Sequence, residues 1–269
     1  MKEPAKAFEK VPLAGALAIQ GRVLHALFLR EVITRFGRHN LGVLWLFAEP
    51  MIFTLGVLSL WSLAGLRHGT NLTISGFAIT GYSSVLLWRN CTSRSANAIQ
   101  QNANLLYHRN VQVLDVLLTR ILIEVAGATA SFAILSAVFI SLGLMNAPVD
   151  PMRVLTGWLM LVWFGAALAL LIGSAASFSE MVERLWHPTS YLLFPLSGAA
   201  FMVDWLPART QQYVLALPMV HGVEALRAGY FGTAIRAHFD LAYMAAINLC
   251  VTLAGLYLTQ LAGRYVEVR

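Results

Sequence analysis

The chain has 269 residues, of which 58% are hydrophobic and 12% charged, whereas about a quarter of the residues in a soluble globular domain carry a charge. One soluble core of this size cannot hold so much apolar surface, which excludes an ordinary globular enzyme or binding domain and indicates a bilayer as solvent. The 19 basic and 13 acidic residues give a formal charge of +6. The two cysteines, Cys91 and Cys250, are isolated and predict no disulfide framework.

The first 38 residues are predicted to lie on the inner face of the membrane. Residues 1–12 have the composition of a short tail, and residues 13–36 predict an amphipathic helix. Its apolar side carries Val23, Leu24, Leu27 and Phe28, and its polar side carries Arg22, Arg30, Thr34 and Arg38. A helix of this kind lies in the membrane interface with its arginines toward the headgroups. An ordinary soluble helix is the alternative.

Residues 39–269 predict a domain with six membrane crossings. The apolar runs cover residues 41–66, 72–88, 116–145, 154–178, 185–203 and 239–261. With both termini on one side, thirteen basic residues fall on that side and five on the other, which predicts that both termini lie in the cytoplasm. Segment 204–238 is apolar but interrupted, and predicts a pair of short re-entrant or interfacial helices, with a periplasmic loop as the alternative.

Several kinds of chemistry are missing from the sequence. No lysine follows Lys10, so no Walker A loop can be formed to hold nucleotide phosphates. The histidines show no metal-ligand spacing, and no nucleophile elbow occurs. We therefore expect no catalytic site, no metal, no cofactor and no nucleic-acid partner in this chain. The small-residue pairs Gly127–Ser131 and Gly173–Ser177 predict close helix packing instead.

The polar stretch after the second crossing predicts a cytoplasmic coupling helix that docks on a partner. Its polar candidates are Ser95, Asn97, Gln101 and Asn102, and its apolar end is formed by Leu105 and Leu106. A short helix with an apolar end suits docking into a groove of another protein. A solvated loop is the alternative.

Four further residues are candidates for a gate or for structural pairing. Glu49 lies inside the first crossing, where an acid usually faces protein or water. We expect it to pair with an arginine or a backbone group of a neighbouring helix, with substrate contact as the alternative. Glu224 and Arg227 are three residues apart in the outer segment and predict an ion pair that holds an external gate, or a purely structural pair. His221 belongs to the same segment.

Arginines and tryptophans near the inner ends of the first two crossings are candidates for cargo binding. Arg35, Arg38, Arg89 and Arg94 are predicted to cluster there. Arginine binds phosphate and carboxylate bidentately, although the positive-inside rule alone also explains such arginines. Trp45, Trp61 and Trp88 are candidates for stacking on sugar rings, with an interfacial aromatic belt as the alternative.

Three motifs together resemble those of ABC-2-type polysaccharide exporters, most like the KpsM-type permeases of capsular polysaccharide export. The motifs are RFGRHNLGVLWLFAEP at 35–50, NANLLYHRNVQVLDVLLTRILIE at 102–124 and LPMVHGVEALRAGYFG at 217–232. The resemblance covers essentially the whole chain. One departure is Leu217, where the family more usually has asparagine before the proline, which puts the capping of the following helix in doubt.

The resemblance implies a transport subunit rather than an enzyme. It implies a homodimer that works with two separate ATPase subunits, which bind ATP and magnesium. The cargo would be an acidic capsular polysaccharide on a lipid linker, passed on to a periplasmic adaptor and an outer-membrane exporter. An O-antigen or teichoic-acid exporter permease has the same architecture and stays open, and a membrane-embedded glycan-modifying enzyme is a third hypothesis.

Overall fold

A computed structural model describes residues 13–36, 41–64, 72–106 and 111–268, and within these ranges the chain is helical with no strand. The predicted tail at 1–12 lies outside them. The helices are α1 (Leu13–Phe36), α2 (Leu41–Leu63), α3 (Ile74–Ser95), α4 (Ala98–Gln101), α5 (Ala103–Leu106), α6 (Val113–Ser141), α7 (Pro151–Phe178), α8 (Glu180–Leu196), α9 (Ala208–Val214), α10 (Pro218–Phe231) and α11 (Leu241–Val268). Short 3-10 turns occupy Val203–Trp205 and Gly232–Ala234.

Four helices in the described ranges are long and apolar enough to cross a bilayer: α2, α6, α7 and α11. The other two predicted crossings coincide with α3 and α8. α3 continues to Ser95, seven residues past the predicted end, because its last two turns are polar but still packed against protein. α8 has 17 residues and contains Pro188 and Pro195; it begins and ends earlier than the predicted 185–203.

Helix α7 lies at the centre of the bundle, where it packs against α3, α10 and α11. Two glycines allow α10 to approach it closely. A Cβ on Gly157 would lie 2.6 Å from the backbone nitrogen of Leu226, and a Cβ on Gly229 would lie 2.5 Å from that of Val154. These two contacts show that α10 runs antiparallel to the first part of α7.

Apolar packing and a few interhelical hydrogen bonds hold the bundle together. The rings of Phe132 on α6 and Trp158 on α7 stack at 4.6 Å. Ser131 on α6 donates to the carbonyl oxygen of Phe47 on α2 at 2.8 Å, and a Cβ on Gly127 would meet Leu46 at 2.8 Å. The close packing predicted for the Gly127–Ser131 pair is therefore confirmed.

The helices alternate in direction and give the bundle two different ends. At one end, called the α1 end, lie α1, α4, α5, the starts of α2, α6 and α8, and the last turns of α3, α7 and α11. The indole of Trp186 on α8 donates to Ser93 on α3 there, at 3.2 Å. At the opposite end, called the α10 end, the hydroxyl of Tyr230 donates to the carbonyl oxygen of Asn146 at 2.5 Å, joining α10 to the α6–α7 loop.

Helix α1 packs its apolar side on the bundle rather than leaving it open. Leu27 is buried, and Val23, Leu24 and Phe28 are half-buried. The helix contacts α6 and α2, and the side chain of Gln20 donates to Asp115 at the start of α6. The predicted apolar side thus faces α6, but the opposite side is not purely polar, since Leu29 and Ile33 are exposed.

Candidate functional site

The coupling segment consists of two short turns, α4 and α5, rather than one helix. Ser95 is buried, and its carbonyl oxygen would lie 2.9 Å from a Cβ on Gly173 of α7. Leu105 is half-buried, and Leu106 packs against the main core. Ser95 is therefore a packing residue, which corrects its prediction as a docking residue. The exposed side chains of the segment are those of Gln100, Gln101, Ala103 and Asn104.

A polar network ties this segment to α1 and α6. The guanidinium of Arg30 on α1 donates to the side-chain oxygen of Asn102 at 2.9 Å. Arg120 on α6 donates to Gln101 at 2.6 Å and forms an ion pair with Glu31 on α1 at 2.8 Å. Three elements that are distant in sequence are thus held together around α4 by arginines. Asn97 lies beside this network and is half-buried.

The predicted arginine cluster is only partly within the described residues, since Arg38 and the side chain of Arg35 lie outside them. Arg94 forms an ion pair with Glu49 at 2.8 Å, as expected for an acid inside the first crossing. The guanidinium of Arg89 lies over the ring of Tyr191 on α8, 4.5 Å from its centroid. Arg89 and Arg94 therefore face different neighbours, because five residues turn a helix by about 140°.

The three candidate tryptophans lie in different surroundings. Trp45 near the start of α2 is 57% exposed. Trp61 near the end of α2 is half-buried and stacks on Phe77, with ring centroids 5.9 Å apart. Trp88 has no exposed surface and packs edge-on against Phe164 of α7. A sugar ring cannot reach Trp88, so its prediction as a stacking residue is wrong; the extension of α3 to Ser95 places it inside the helix bundle.

The segment before the last helix contains two short helices, α9 and α10, and their re-entrant or interfacial placement stays a prediction. Every residue of α10 from Met219 to Tyr230 is buried. A Cβ on Gly222 would lie 2.6 Å from Leu161, ten residues into α7, which corresponds to a depth of about 15 Å along that helix. α10 begins at Pro218, and the residue before it, Leu217, forms no side-chain cap. The cap that an asparagine would provide at that position is therefore missing.

Glu224 and Arg227 do not form the ion pair that their spacing predicted. The carboxylate of Glu224 instead accepts hydrogen bonds from the backbone N–H of Val203 at 3.2 Å and of His238 at 3.0 Å. Both residues are described in full, and no ion pair joins them. The hydrogen bonds of both side chains go to backbone groups of the loops around α10 instead, although Nε of Arg227 has no hydrogen-bond partner among the described residues. The predicted i,i+3 pairing is therefore wrong.

Arg227 is fully buried and binds the backbone that follows α8. Its guanidinium donates to the carbonyl oxygens of Gly198 at 2.6 Å, Ala199 at 2.7 Å and Phe201 at 2.7 Å. It also lies over the ring of Phe77 on α3, 3.8 Å from the centroid. Arg227 therefore joins α10, α8 and α3 in a single cluster of contacts.

His221 joins the turn before α10 to the start of α11. One ring nitrogen, Nδ1, accepts from the backbone N–H of Asp240 at 2.9 Å. The other, Nε2, therefore donates to the carbonyl oxygen of Leu215 at 2.7 Å. The ring also meets Tyr243 edge-on at 5.1 Å. Within the described residues, His221 therefore joins the α9–α10 hairpin to the last helix.

Two contacts between helices could not be predicted from the sequence. Phe77 stacks between Trp61 and Trp205, 5.2 Å from the latter, at the α10 end. The Arg30–Asn102 contact joins residues 72 positions apart. Neither has a local sequence signal, because helix periodicity reports which face is buried and not which helix lies opposite.

A helical bundle with four bilayer-length apolar helices and one short buried helix, α10, at one end defines a polytopic membrane protein. The chain belongs to the ABC-2 type transporter family, which matches residues 22–231. The capsule polysaccharide export inner-membrane protein CtrC of Neisseria meningitidis serogroup B is 42% identical over 262 residues, 97% of this chain and 99% of that protein. The capsule polysaccharide export inner-membrane protein BexB of Haemophilus influenzae is 39% identical, covering 94% of this chain and 95% of its own length.

A more distant relative also matches most of the chain. The polysialic acid transport protein KpsM of Escherichia coli is 28% identical over 241 residues, 89% of this chain and 93% of that protein. The resemblance to ABC-2-type exporters that the three motifs predicted is therefore confirmed.

Proposed function

We propose that this chain is the membrane subunit of an ATP-driven exporter that moves a capsular polysaccharide across the bacterial inner membrane. The observation that carries the proposal is the match with CtrC, which extends over 97% of this chain and 99% of that protein. A match of this extent includes the coupling segment, the arginine network and the α9–α10 hairpin, and not only the apolar helices. The whole transport architecture is therefore expected to be common to both proteins.

In this proposal the chain crosses the membrane six times, with α3 and α8 as the two additional crossings. The α1 end and both termini lie in the cytoplasm, as the distribution of basic residues favours. Helix α10 re-enters from the periplasmic side, where protein surrounds it on all sides. A second copy of the chain completes the channel, for which the exposed apolar side chains of α2, such as Ile52 and Leu60, provide contact surface.

In this proposal ATP is bound and hydrolysed by other subunits. The chain has no lysine after Lys10, so two separate ATPase subunits would bind ATP and magnesium. They would dock on the exposed side of α4 and α5, which carries Gln100, Ala103 and Asn104. Helix α3 runs from this segment to Phe77 and the Arg227 cluster, so it provides a direct mechanical link from the ATPase contact to the α10 end.

The cargo would be an acidic polysaccharide on a lipid linker, handed to a periplasmic adaptor and an outer-membrane exporter. Arg89 and Trp45 are the cargo-binding candidates that the described geometry supports best. Arg89 has no carboxylate partner in the described residues and lies on the ring of Tyr191. Arg94 is engaged by Glu49 and contributes mainly to joining α2 with α3.

The function is tested by deleting the gene in its native strain and locating the capsular polymer. We expect full-length polymer of unchanged composition to accumulate inside the cells, and surface polymer to return when the parental gene is restored. Altered polymer chemistry would indicate a glycan-modifying enzyme instead. Surface polymer that persists in the deletion strain would contradict the proposal.

A further inference from the structure

A cleft of about 300 Å³ opens at the α1 end, between α1, the end of α3, α4 and α6. Every residue that lines it has a polar or charged side chain: three arginines, three side-chain amides, one threonine and one carboxylate. Guanidinium and amide N–H groups are donors, so the cleft suits a ligand that is rich in acceptor oxygens.

One of the three arginines keeps an uncompensated charge. Arg120 is paired with Glu31, and Arg94 is paired with Glu49. Arg30 forms a hydrogen bond with the neutral amide of Asn102 and has no ion pair within the described residues. Asn102 holds one side of the Arg30 guanidinium in place, and the remaining donors are available to an anion.

The position of Arg30 on α1 indicates what kind of molecule carries that anion. Thr34 lies one turn further along the same side of the helix and also lines the cleft. On the adjacent side, Leu29 and Ile33 are 47% and 52% exposed. An anion held by Arg30 would therefore have exposed aliphatic side chains directly beside it, which favours a molecule with an acidic head and hydrocarbon chains.

We propose that this cleft binds the phosphate headgroup of an anionic membrane lipid, with Arg30 as the cation and Asn97 as a neighbouring amide. The lipid chains lie along Leu29 and Ile33. The inference rests on the proposed placement of the α1 end at the cytoplasmic membrane surface, where anionic lipids attract basic side chains. A lipid held there bridges α1 and α4, and so stabilises the contact between the interface helix and the coupling segment.

The test measures lipid retention by the purified chain with native mass spectrometry, using phosphatidylglycerol and phosphatidylcholine at equal concentration. We expect the parental chain to retain phosphatidylglycerol preferentially. Arg30→Gln should weaken that retention about tenfold, as loss of one charge-assisted hydrogen bond predicts. Asn97→Asp, which leaves Arg30 in place and adds a negative charge to the cleft, should weaken it as well. Arg22→Gln, an exposed arginine on the same helix outside the cleft, is the matched control.

Three results would overturn the inference. The first is equal retention of the two lipids, or parental retention by both cleft variants. The second is competition by inorganic phosphate as strong as that of phosphatidylglycerol, which would indicate a phosphate site without lipid. The third is loss of the ATPase partner from Arg30→Gln with unchanged lipid retention, which would assign the cleft to an acidic side chain of that partner. Retention is measured without transport, so failure here leaves the export proposal untouched.

Discussion

Arg227 has no exposed surface and is one of the largest fully buried side chains among the described residues. The carbonyl groups at the C-terminal end of a helix have no intrahelical donors, and the guanidinium supplies donors to the backbone just after α8. Gly81 on α3 makes room for this arrangement, because a Cβ there would lie 2.4 Å from the carbonyl oxygen of Ala199 and 2.5 Å from Nη2 of Arg227.

We expect Arg227→Lys to lower the free energy of unfolding by about 3 kcal/mol and to reduce export. A lysine keeps the charge but cannot satisfy several carbonyl oxygens at once, and each buried acceptor left without a donor costs about 1–3 kcal/mol. Thermal unfolding in detergent, followed by tryptophan fluorescence, measures the change.

Two matched variants make this prediction specific. Gly81→Ala should destabilise in the same direction, because the added methyl group collides with the same carbonyl oxygen. Arg209→Lys, an exposed arginine on α9, should behave as the parent. An Arg227→Lys protein with the parental melting temperature would contradict the role assigned to the guanidinium.

Spacing along the sequence predicted some residue contacts and missed others. The predicted pairing of Glu49 with an arginine is confirmed, because an acid inside an apolar helix has few other partners. The expected Glu224–Arg227 pair was wrong, because the i,i+3 rule considers only the helix that carries both residues. The loops that supply their backbone partners come from positions 198–203 and 238, which no local pattern connects with α10.

At the scale of the element, helix α3 connects the two ends of the bundle. Its apolar first part was recognisable as a crossing, whereas its polar last turns were assigned to a separate cytoplasmic coupling segment. Those turns stay helical because Cys91, Thr92 and Ser95 are buried against neighbouring helices. This continuation makes one rigid helix of what the sequence divided into a crossing and a coupling segment.

The coupling segment is expected to tolerate acidic substitutions structurally while losing its partner. Ala103 and Asn104 are exposed in the first turn of α5, where a carboxylate is compatible with the helix dipole. The double variant Ala103→Asp with Asn104→Asp should therefore fold and insert normally, yet retain at least tenfold less ATPase on co-purification.

Leu105→Asp with Leu106→Asp is a poorer test of docking, since Leu106 packs against the main core and the variant would destabilise the fold. Thr210→Asp, exposed on α9 at the opposite end, is the suitable control. Undiminished ATPase binding by the double variant at 103 and 104 would refute the docking assignment.

At the scale of the whole molecule, the order of the helices could be predicted from apolar runs, because a bilayer demands long uninterrupted apolar segments. The arrangement of the helices could not. Gly157 and Gly229 were unremarkable in the sequence, yet they allow α10 to lie in close contact with α7. The Arg30 cleft likewise depends on α1 packing beside α4, which amphipathicity alone does not specify.

We expect this chain to move polysaccharide only together with a separate ATPase. Inside-out proteoliposomes that contain the chain, with and without its ATPase subunits, allow ATP-driven uptake of the lipid-linked polymer to be measured directly. We expect uptake when both proteins and ATP are present. The chain alone should show neither uptake nor ATP hydrolysis above background. ATP hydrolysis by the isolated chain, or absence of uptake by the complete and ATPase-active complex, would contradict it.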